Sequence, residues 1–150
     1  MPSSATAPAP DALVVDASAV VEALLGTDLG VKVRRRMRGH QLHAPAHLDA
    51  EVLSALGRLH RAGDLPNTAA AAALGELATA PIHRHPLASL LSGAWQRRES
   101  QRLVDALYTE LAASLDSTPL LTTDAASANP RLMPRCSSAP RCLARIMRRC

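Results

Sequence analysis

Aromatic side chains are almost missing from this chain of 150 residues, which has no Phe, one Trp and one Tyr. The core must therefore be built from Ala, Leu and Val, and aromatic platforms on which nucleic-acid bases stack are effectively excluded. Long apolar runs are missing too, so no membrane-spanning segment is expected. The length fits one domain whose core needs neither disulfides nor a structural metal.

Cysteine is missing from most of the chain, since Cys136, Cys142 and Cys150 all lie near its end. No His stands at zinc-finger spacing from them, so free thiols in a reducing cytosol are expected rather than a zinc site. Residues 1–10, MPSSATAPAP, have neither a basic start nor an apolar stretch. They predict a disordered leader and not a signal peptide, and hence a cytoplasmic protein.

The net charge of +4 is unevenly distributed. Residues 131–150 hold six Arg and no acid, so without them 11 basic residues face 13 acidic ones. An Arg/Cys/Pro-rich tail over 127–150 is therefore predicted to lie apart from the folded domain. A second basic run is most often only the solvated face of a helix, but it is also a candidate contact for RNA phosphates. Its members are Arg34, Arg35, Arg36 and Arg38.

The segment ALVVDASAVVEALLG, residues 12–26, predicts a strand, a tight turn and a helix. The apolar run Ala12–Val15 stops at Asp16, Ser18 can cap the helix, and Gly26 can end it. Ligands bind at the carboxyl ends of strands in open α/β sheets, which makes Asp16 a candidate site residue. An Asp that merely caps the helix is an equal alternative at this point.

The remaining patterns predict strands that alternate with helices. Helices are predicted over 28–39, 46–62, 66–80, 87–98 and 102–115, with Asp28 as the cap of the first, and strands over 40–44, 81–86 and 119–123. In the last of these helices the predicted inward residues are Leu103, Val104, Leu107 and Leu111. This alternation predicts an α/β fold with three layers, in which a central parallel sheet carries helices on both faces.

Four acidic residues fall where strands end or helices begin. Asp16 and Asp124 end apolar strands, and Glu51 and Asp105 lie near helix starts. In a parallel sheet these positions share one edge, so the four carboxylates are expected to converge. Two carboxylates about 5 Å apart repel by roughly 3 kcal/mol at an effective dielectric of about 20, so their cluster favours binding of a cation. Carboxylate oxygens suit Mg²⁺ or Mn²⁺, which can activate a water for phosphodiester hydrolysis.

The sequence does not decide between two acids of one helix, and it also contains histidines that could be considered as ligands. Asp49 and Glu51 flank the buried face of the same predicted helix, and periodicity barely separates them. Four histidines form two pairs that are convincing neither as metal ligands nor as an acid–base couple, namely His83 with His85 and His43 with His47.

Four segments, in order, resemble those of the PIN-domain nucleases, and within them those of the VapC-type toxins of bacterial VapBC toxin–antitoxin pairs. They are LVVDASAVVEALL, LHAPAHLDAEVLSALGRL, LVDALYTELAASL and LLTTDA, and the similarity spans residues 11–126. The resemblance implies a PIN-like nuclease domain over that span. It also implies a metal-dependent endoribonuclease toxin that cuts tRNA or rRNA, is usually a homodimer and is inhibited by a cognate VapB-like antitoxin.

The resemblance also implies residue roles. The family's acidic quartet, which is catalytic and binds Mg²⁺ or Mn²⁺, maps onto Asp16, Glu51, Asp105 and Asp124, and this mapping selects Glu51 over Asp49. Ser18, together with Thr122 or Thr123, matches hydroxyl positions that support the site in the family.

The chain departs from the family after Asp124. Members normally continue into an Arg-containing turn and a short fifth strand, whereas AASANPRLMPRCSSAPRCLARIMRRC follows here without a strand pattern. This departure defines the alternative function, a catalytically inactive PIN-like module that only binds antitoxin or RNA. The intact set of acids favours the enzyme.

Overall fold

A computed structural model describes residues 11–123. The predicted leader 1–10, the predicted site residue Asp124 and the predicted tail 127–150 lie outside the described residues. The elements are, in order, β1 (Ala12–Val15), α1 (Ala17–Leu25), α2 (Asp28–Met37), β2 (Gln41–Pro45), α3 (Leu48–Ala62), α4 (Asn67–Thr79), β3 (Ile82–His85), a 3-10 turn (Leu87–Ser89), α5 (Leu91–Gln96), α6 (Leu103–Ser114) and β4 (Leu120–Leu121).

The four strands form one parallel sheet in the order β3-β2-β1-β4, so β1 is an inner strand. Val14 is the register partner of both His43 in β2 and Leu120 in β4. Neighbouring residues of a strand point to opposite faces, yet Leu13, Val14 and Val15 are all at most 1% exposed. Helices therefore cover both faces of the sheet around β1, as the predicted α/β architecture requires.

The core contains the small and branched side chains that the composition predicts. Its fully buried members include Leu13 and Val15 of β1, Leu48 and Leu56 of α3, and Leu111 of α6. Tyr108 of α6 is the one aromatic residue in this core cluster of the described chain, and only 2% of its surface is exposed. Among residues 11–123, no helix is long and apolar enough to cross a membrane.

Two helix starts differ from the predictions. The predicted cap Ser18 is wrong, because Asp16 is the residue that caps α1 and its side chain accepts the N–H of Ala17. Asp28 is likewise the first residue of α2 and not its cap, since the hydroxyl of Thr27 accepts the N–H of Gly30 at 2.9 Å. In both cases the capping oxygen belongs to an earlier residue than expected.

The predicted helix over 87–98 is also divided. The N–H of Leu90 bonds to the carbonyl of Leu87 at 2.8 Å, which closes a 3-10 turn before α5 begins. α5 then packs closely on α6, because a Cβ at Gly93 would lie 2.0 Å from the carboxyl carbon of Glu110. A side chain at this position would displace the carboxylate of Glu110, which pairs with Arg97 at 2.9 Å.

The inward face predicted for α6 is partly wrong. Leu107 and Leu111 are buried as predicted, together with Tyr108, but Leu103 and Val104 are 43% and 42% exposed. With Leu91 and Trp95 of α5, both 56% exposed, they form an apolar surface that we call the α5–α6 face. An open cavity of about 450 Å³ lies at this face, lined by Leu91, Ser92, Ala94, Trp95, Leu103, Val104 and Leu107.

Arg84 of β3 fastens the start of α3 to the end of α4. Its Nε and Nη2 donate to the carboxylate of Asp49 at 3.0 to 3.3 Å. Its Nη1 donates to the carbonyls of Ala80 and Ile82, and Nη2 also donates to that of Leu77 at 2.8 Å. One planar guanidinium thus satisfies carbonyls at the end of a helix and pairs with an acid of the next layer.

Replacing this guanidinium should destabilise the fold. We expect Arg84→Met to lower the free energy of unfolding by about 2 kcal/mol, because several carbonyls and a carboxylate lose a charged donor. For a domain of this size that corresponds to a fall in melting temperature of roughly 4 to 8 °C, measured by circular dichroism. Arg58→Met is the control, since Arg58 is exposed on α3. Equal shifts in both variants would contradict the structural role of Arg84.

Candidate active site

Asp16 stands where the buried strand β1 passes into α1. Its Oδ1 accepts the backbone N–H of Ala17 at 2.7 Å. Its Oδ2 accepts the hydroxyls of Ser18 at 2.8 Å and Thr122 at 2.7 Å. Asp16 therefore caps α1, which was one of the two roles left open by the sequence, and its second oxygen is held by two hydroxyls.

The same cluster joins the end of β4 to the start of α1. The hydroxyls of Ser18 and Thr122 lie 3.2 Å apart, and the N–H of Thr123 donates to Ser18 Oγ at 3.1 Å. The backbone N–H of Asp16 donates to the carbonyl of Leu121 at 3.0 Å. Thr122 thus contributes its hydroxyl and Thr123 its amide. The sequence left open which of the two threonines contacts the site.

Glu51 lies in the first turn of α3 and contacts α6. Its Oε2 accepts the hydroxyl of Tyr108 at 2.6 Å. His47 Nε2 lies 3.3 Å from the same oxygen without hydrogen-bond geometry, and its ring centre is 4.9 Å from that of Tyr108. Tyr108 lies among the apolar residues of α6, and helical periodicity carries no signal that its hydroxyl reaches a candidate site acid.

Electrostatics link Glu51 to Asp16. Burial alone would raise the pKa of Glu51, but contacts with His47 and Tyr108 and the charge of Arg102 outweigh it, so the pKa is lowered. Burial raises the pKa of Tyr108, and the charges of Glu51 and then of Asp16 raise it further. Both carboxylates therefore act on one phenolic hydroxyl, and Tyr108 stays protonated.

Asp105 lies in the first turn of α6 and is partly buried. Residues three apart share one side of a helix, so Asp105 lies on the side of Tyr108, toward Glu51. Of the four acids predicted to converge, Asp16 and Glu51 both act on the hydroxyl of Tyr108, and Asp105 lies on the same side of α6 as that tyrosine. The fourth, Asp124, is outside the described residues and directly follows Thr123, whose amide is bonded to Ser18.

Asp49 and Glu51 have different partners, although both lie in the first turn of α3. Asp49 pairs with Arg84, whereas Glu51 contacts Tyr108. A sequence signal for this difference is weak, because Arg84 lies more than 30 positions away along the chain.

The basic run of α2 and the acid Asp16 lie at opposite edges of the sheet. α2 leads into the amino end of β2, whereas Asp16 follows the carboxyl end of the parallel strand β1. Arg34 is engaged in the fold, since it donates to the carbonyl of Ala23 at 2.7 Å and pairs with Glu76 at 2.8 Å. The charge of Arg102, directly before α6, acts on Glu51, although this cation lies outside the basic run and was not among the predicted site residues.

Three histidines meet on the neighbouring strands β2 and β3. His43 Nδ1 lies 2.9 Å from His85 Nε2, and the rings of His43 and His83 stack with centres 5.0 Å apart. Burial lowers the pKa of His43, and the two neighbouring imidazoles lower it further. Their pairing therefore crosses strands and differs from both pairs suggested by the sequence.

The donor set at the sheet edge fits a hard divalent cation. Asp16, Glu51 and Asp105 offer carboxylate oxygens, the ligand type that Mg²⁺ and Mn²⁺ prefer together with water. Within residues 11–123 no three His, Cys, Asp or Glu side chains already form a metal-binding group. Mg²⁺ commonly uses one or two carboxylates and keeps several waters, so a complete protein cage is not required.

Comparison with known proteins agrees with this architecture. The PIN domain family model matches residues 13–129. Ribonuclease VapC3 of Mycobacterium tuberculosis is 54% identical over 125 residues, which cover 83% of this chain and 90% of that protein. Ribonuclease VapC12 of the same species is 36% identical over 112 residues, covering 75% and 86% of the two chains.

A solved structure shows the same fold. It is the crystal structure of Mycobacterium tuberculosis VapC20, described as a sarcin-ricin loop cleaving toxin, with a TM-score of 0.60 and 19% identity. The match covers 76% of this chain and 91% of that one. Since the family model and the two ribonucleases each span most of the sequence, this chain belongs to the PIN-domain family and, within it, to the VapC ribonuclease toxins.

Proposed function

We propose that this protein is the toxin of a type II toxin–antitoxin pair and that it cleaves RNA phosphodiester bonds with the help of Mg²⁺ or Mn²⁺. The observation that carries the proposal is the placement of Asp16 and Glu51 around the hydroxyl of Tyr108. Glu51 accepts the hydrogen bond of that hydroxyl, the charge of Asp16 acts on it from another element, and Asp105 lies on the same side of α6. Asp16 follows the carboxyl end of β1, and this edge of the sheet is where α/β folds bind ligands.

The proposed metal ligands are Asp16, Glu51, Asp105 and Asp124. A bound Mg²⁺ or Mn²⁺ would supply positive charge at the scissile phosphate and a water of lowered pKa. The protein's own part is orientation, because Ser18 and Thr122 hold one oxygen of Asp16. The lowered pKa of Glu51 keeps that side chain anionic at neutral pH.

The RNA contacts follow from charge and topology. Arg102 is the proposed phosphate contact near the acids, since its charge already acts on Glu51. The run Arg34, Arg35, Arg36 and Arg38 would touch the RNA backbone only where a large substrate extends past the opposite edge of the sheet. A folded tRNA or rRNA is large enough for such a contact, and both are found in the cytoplasm.

A VapB-like antitoxin is the proposed inhibitor. A crevice lined by carboxylates favours an inserted Arg or Lys of a partner peptide. The candidate walls are the helices α1 and α4, which pack against each other. α4 is rich in Ala over 69–73, so it permits close approach of a partner.

A homodimer is proposed through the α5–α6 face. Six large apolar side chains are exposed among the described residues, and four of them belong to this face. Apolar side chains clustered around an open cavity are typical of protein–protein contacts. The face adjoins Asp105 in sequence, so dimer formation would enclose the start of α6.

Substitutions at Glu51 and at Asp49 test which of these two acids of α3 belongs to the active site. Glu51→Gln should lower kcat for cleavage of a model RNA by at least about 100-fold, because a metal-facing charge is lost. Asp49→Asn should retain most of the activity, since Asp49 contacts Arg84. Comparable losses in both variants would remove the basis for placing Glu51 in the site.

Exchange of Asp16 tests the metal directly. Asp16→Asn should abolish cleavage but change the melting temperature in EDTA only slightly, because Asn still caps the helix and the relief of repulsion between acids offsets weaker hydrogen bonds to Ser18 and Thr122. Wild-type cleavage should stop in EDTA and return with Mg²⁺ or Mn²⁺. Addition of Mg²⁺ should raise the melting temperature of the wild type more than that of the variant. Wild-type cleavage that persists in EDTA would refute the metal-dependent mechanism.

The proposed dimer is tested by charge insertion. Trp95→Lys should shift the protein from dimer to monomer in sedimentation velocity, because a charge would have to be buried in an apolar contact. Leu53→Lys is the matched control, since Leu53 is 55% exposed on α3 and lies outside the α5–α6 face. A dimer that survives Trp95→Lys would exclude this face as the interface.

A further inference from the structure

Tyr108 is a core residue with a polar end at the candidate site. Its surface is 2% exposed, and it lies between Leu107 and Thr109 on the buried side of α6. The hydroxyl nevertheless donates to a partly buried carboxylate at 2.6 Å, which is short for a neutral donor and typical of a bond to an anion. The core therefore fixes the position of a single donor next to Glu51.

The contacts of Glu51 are unequal between its two oxygens. The Tyr108 hydroxyl and the nearby His47 Nε2 both lie against Oε2. No hydrogen bond from residues 11–123 reaches Oε1. One oxygen of the carboxylate is thus bound to the protein, and the other is available to a ligand.

We propose that Tyr108 is a positioning residue that holds Oε2 of Glu51 and so presents Oε1 to the divalent cation. This assignment rests on the proposed metal-dependent function. A free Glu side chain loses rotamer entropy when it is ordered, which opposes binding. A buried Tyr whose ring is fixed by packing removes most of this cost before the cation binds, since it already restricts the carboxylate.

A purely structural hydroxyl is the competing explanation. Buried Tyr hydroxyls usually find a hydrogen-bond acceptor, and Glu51 is simply within reach. That explanation predicts an effect of the hydroxyl on stability alone. Positioning predicts in addition an effect on cation affinity that depends on the presence of Glu51.

Tyr108→Phe removes the hydroxyl and keeps the ring in the core. Affinity for Mn²⁺, measured without RNA from the electron paramagnetic resonance signal of the free ion, should fall about 10- to 100-fold, as expected for loss of a residue that orients a ligand. The control is Thr118→Val, which also removes a buried hydroxyl. Thr118 is 7% exposed, its hydroxyl donates to the carbonyl of Leu115, and it precedes the amino end of β4, at the edge of the sheet opposite the acids. This control should leave Mn²⁺ affinity within about twofold of the wild type.

A double-mutant cycle shows whether Tyr108 acts through Glu51. In a Glu51→Gln background, Tyr108→Phe should weaken Mn²⁺ binding no further. An unchanged affinity in Tyr108→Phe, or an equal loss with and without Glu51, would overturn the assignment while leaving the metal-dependent function intact. A wild-type protein that binds no Mn²⁺ would instead overturn the proposed function and this assignment with it.

Discussion

A carboxylate at the end of the inner strand holds together the two ends of the described chain. Within residues 11–123, β4 is two residues long and pairs only with β1, so this ladder is short. Asp16 supplies what the ladder lacks, because its Oδ2 accepts the hydroxyl of Thr122 while its Oδ1 caps α1. A negative charge at a helix start is itself favourable by about 0.3 to 1 kcal/mol. The bonds that complete the sheet are thus the bonds that orient the first acid of the site.

The site combines groups that repel one another with donors that compensate them. Neutral donors supply part of that compensation, since a hydrogen bond to a charged group contributes about 1.5 to 3 kcal/mol. Ser18 and Thr122 act on Asp16, and Tyr108 acts on Glu51. Such donors hold the carboxylates in place without neutralising them. The charge that attracts a cation is therefore retained in the folded protein.

Much of the architecture could be predicted because the local signals agree with the global fold. The run Ala12–Val15 is a strand, Gly26 and Gly63 end helices with a positive φ, and the order of strands and helices gives a parallel sheet. The acids at strand ends and helix starts follow from the same topology. Asp16 and Glu51 could accordingly be named from the sequence as candidates, with the family pattern deciding for Glu51.

The remaining features depend on contacts between distant parts of the chain. Asp49 and Glu51 have similar positions in the sequence pattern. Only the folded structure shows that Asp49 pairs with Arg84 of β3 and that Glu51 accepts a hydrogen bond from Tyr108. Tyr108 looks like a core residue, because nothing in helical periodicity reveals where a phenolic hydroxyl ends. The exposure of Leu103 and Val104 could not be predicted either. When a helix has apolar residues on several sides, its sequence pattern does not indicate which side is buried.

The scarcity of aromatic residues gives the folded protein two separate optical reporters. The single Trp of the chain lies on the exposed α5–α6 face, and the single Tyr touches Glu51. Indole emission therefore reports whether that face is wet or covered, without interference from a second indole. The tyrosine ultraviolet bands report separately on the hydrogen bond at the acids. Events at the α5–α6 face and at the acids can thus be followed in the native chain with no added label.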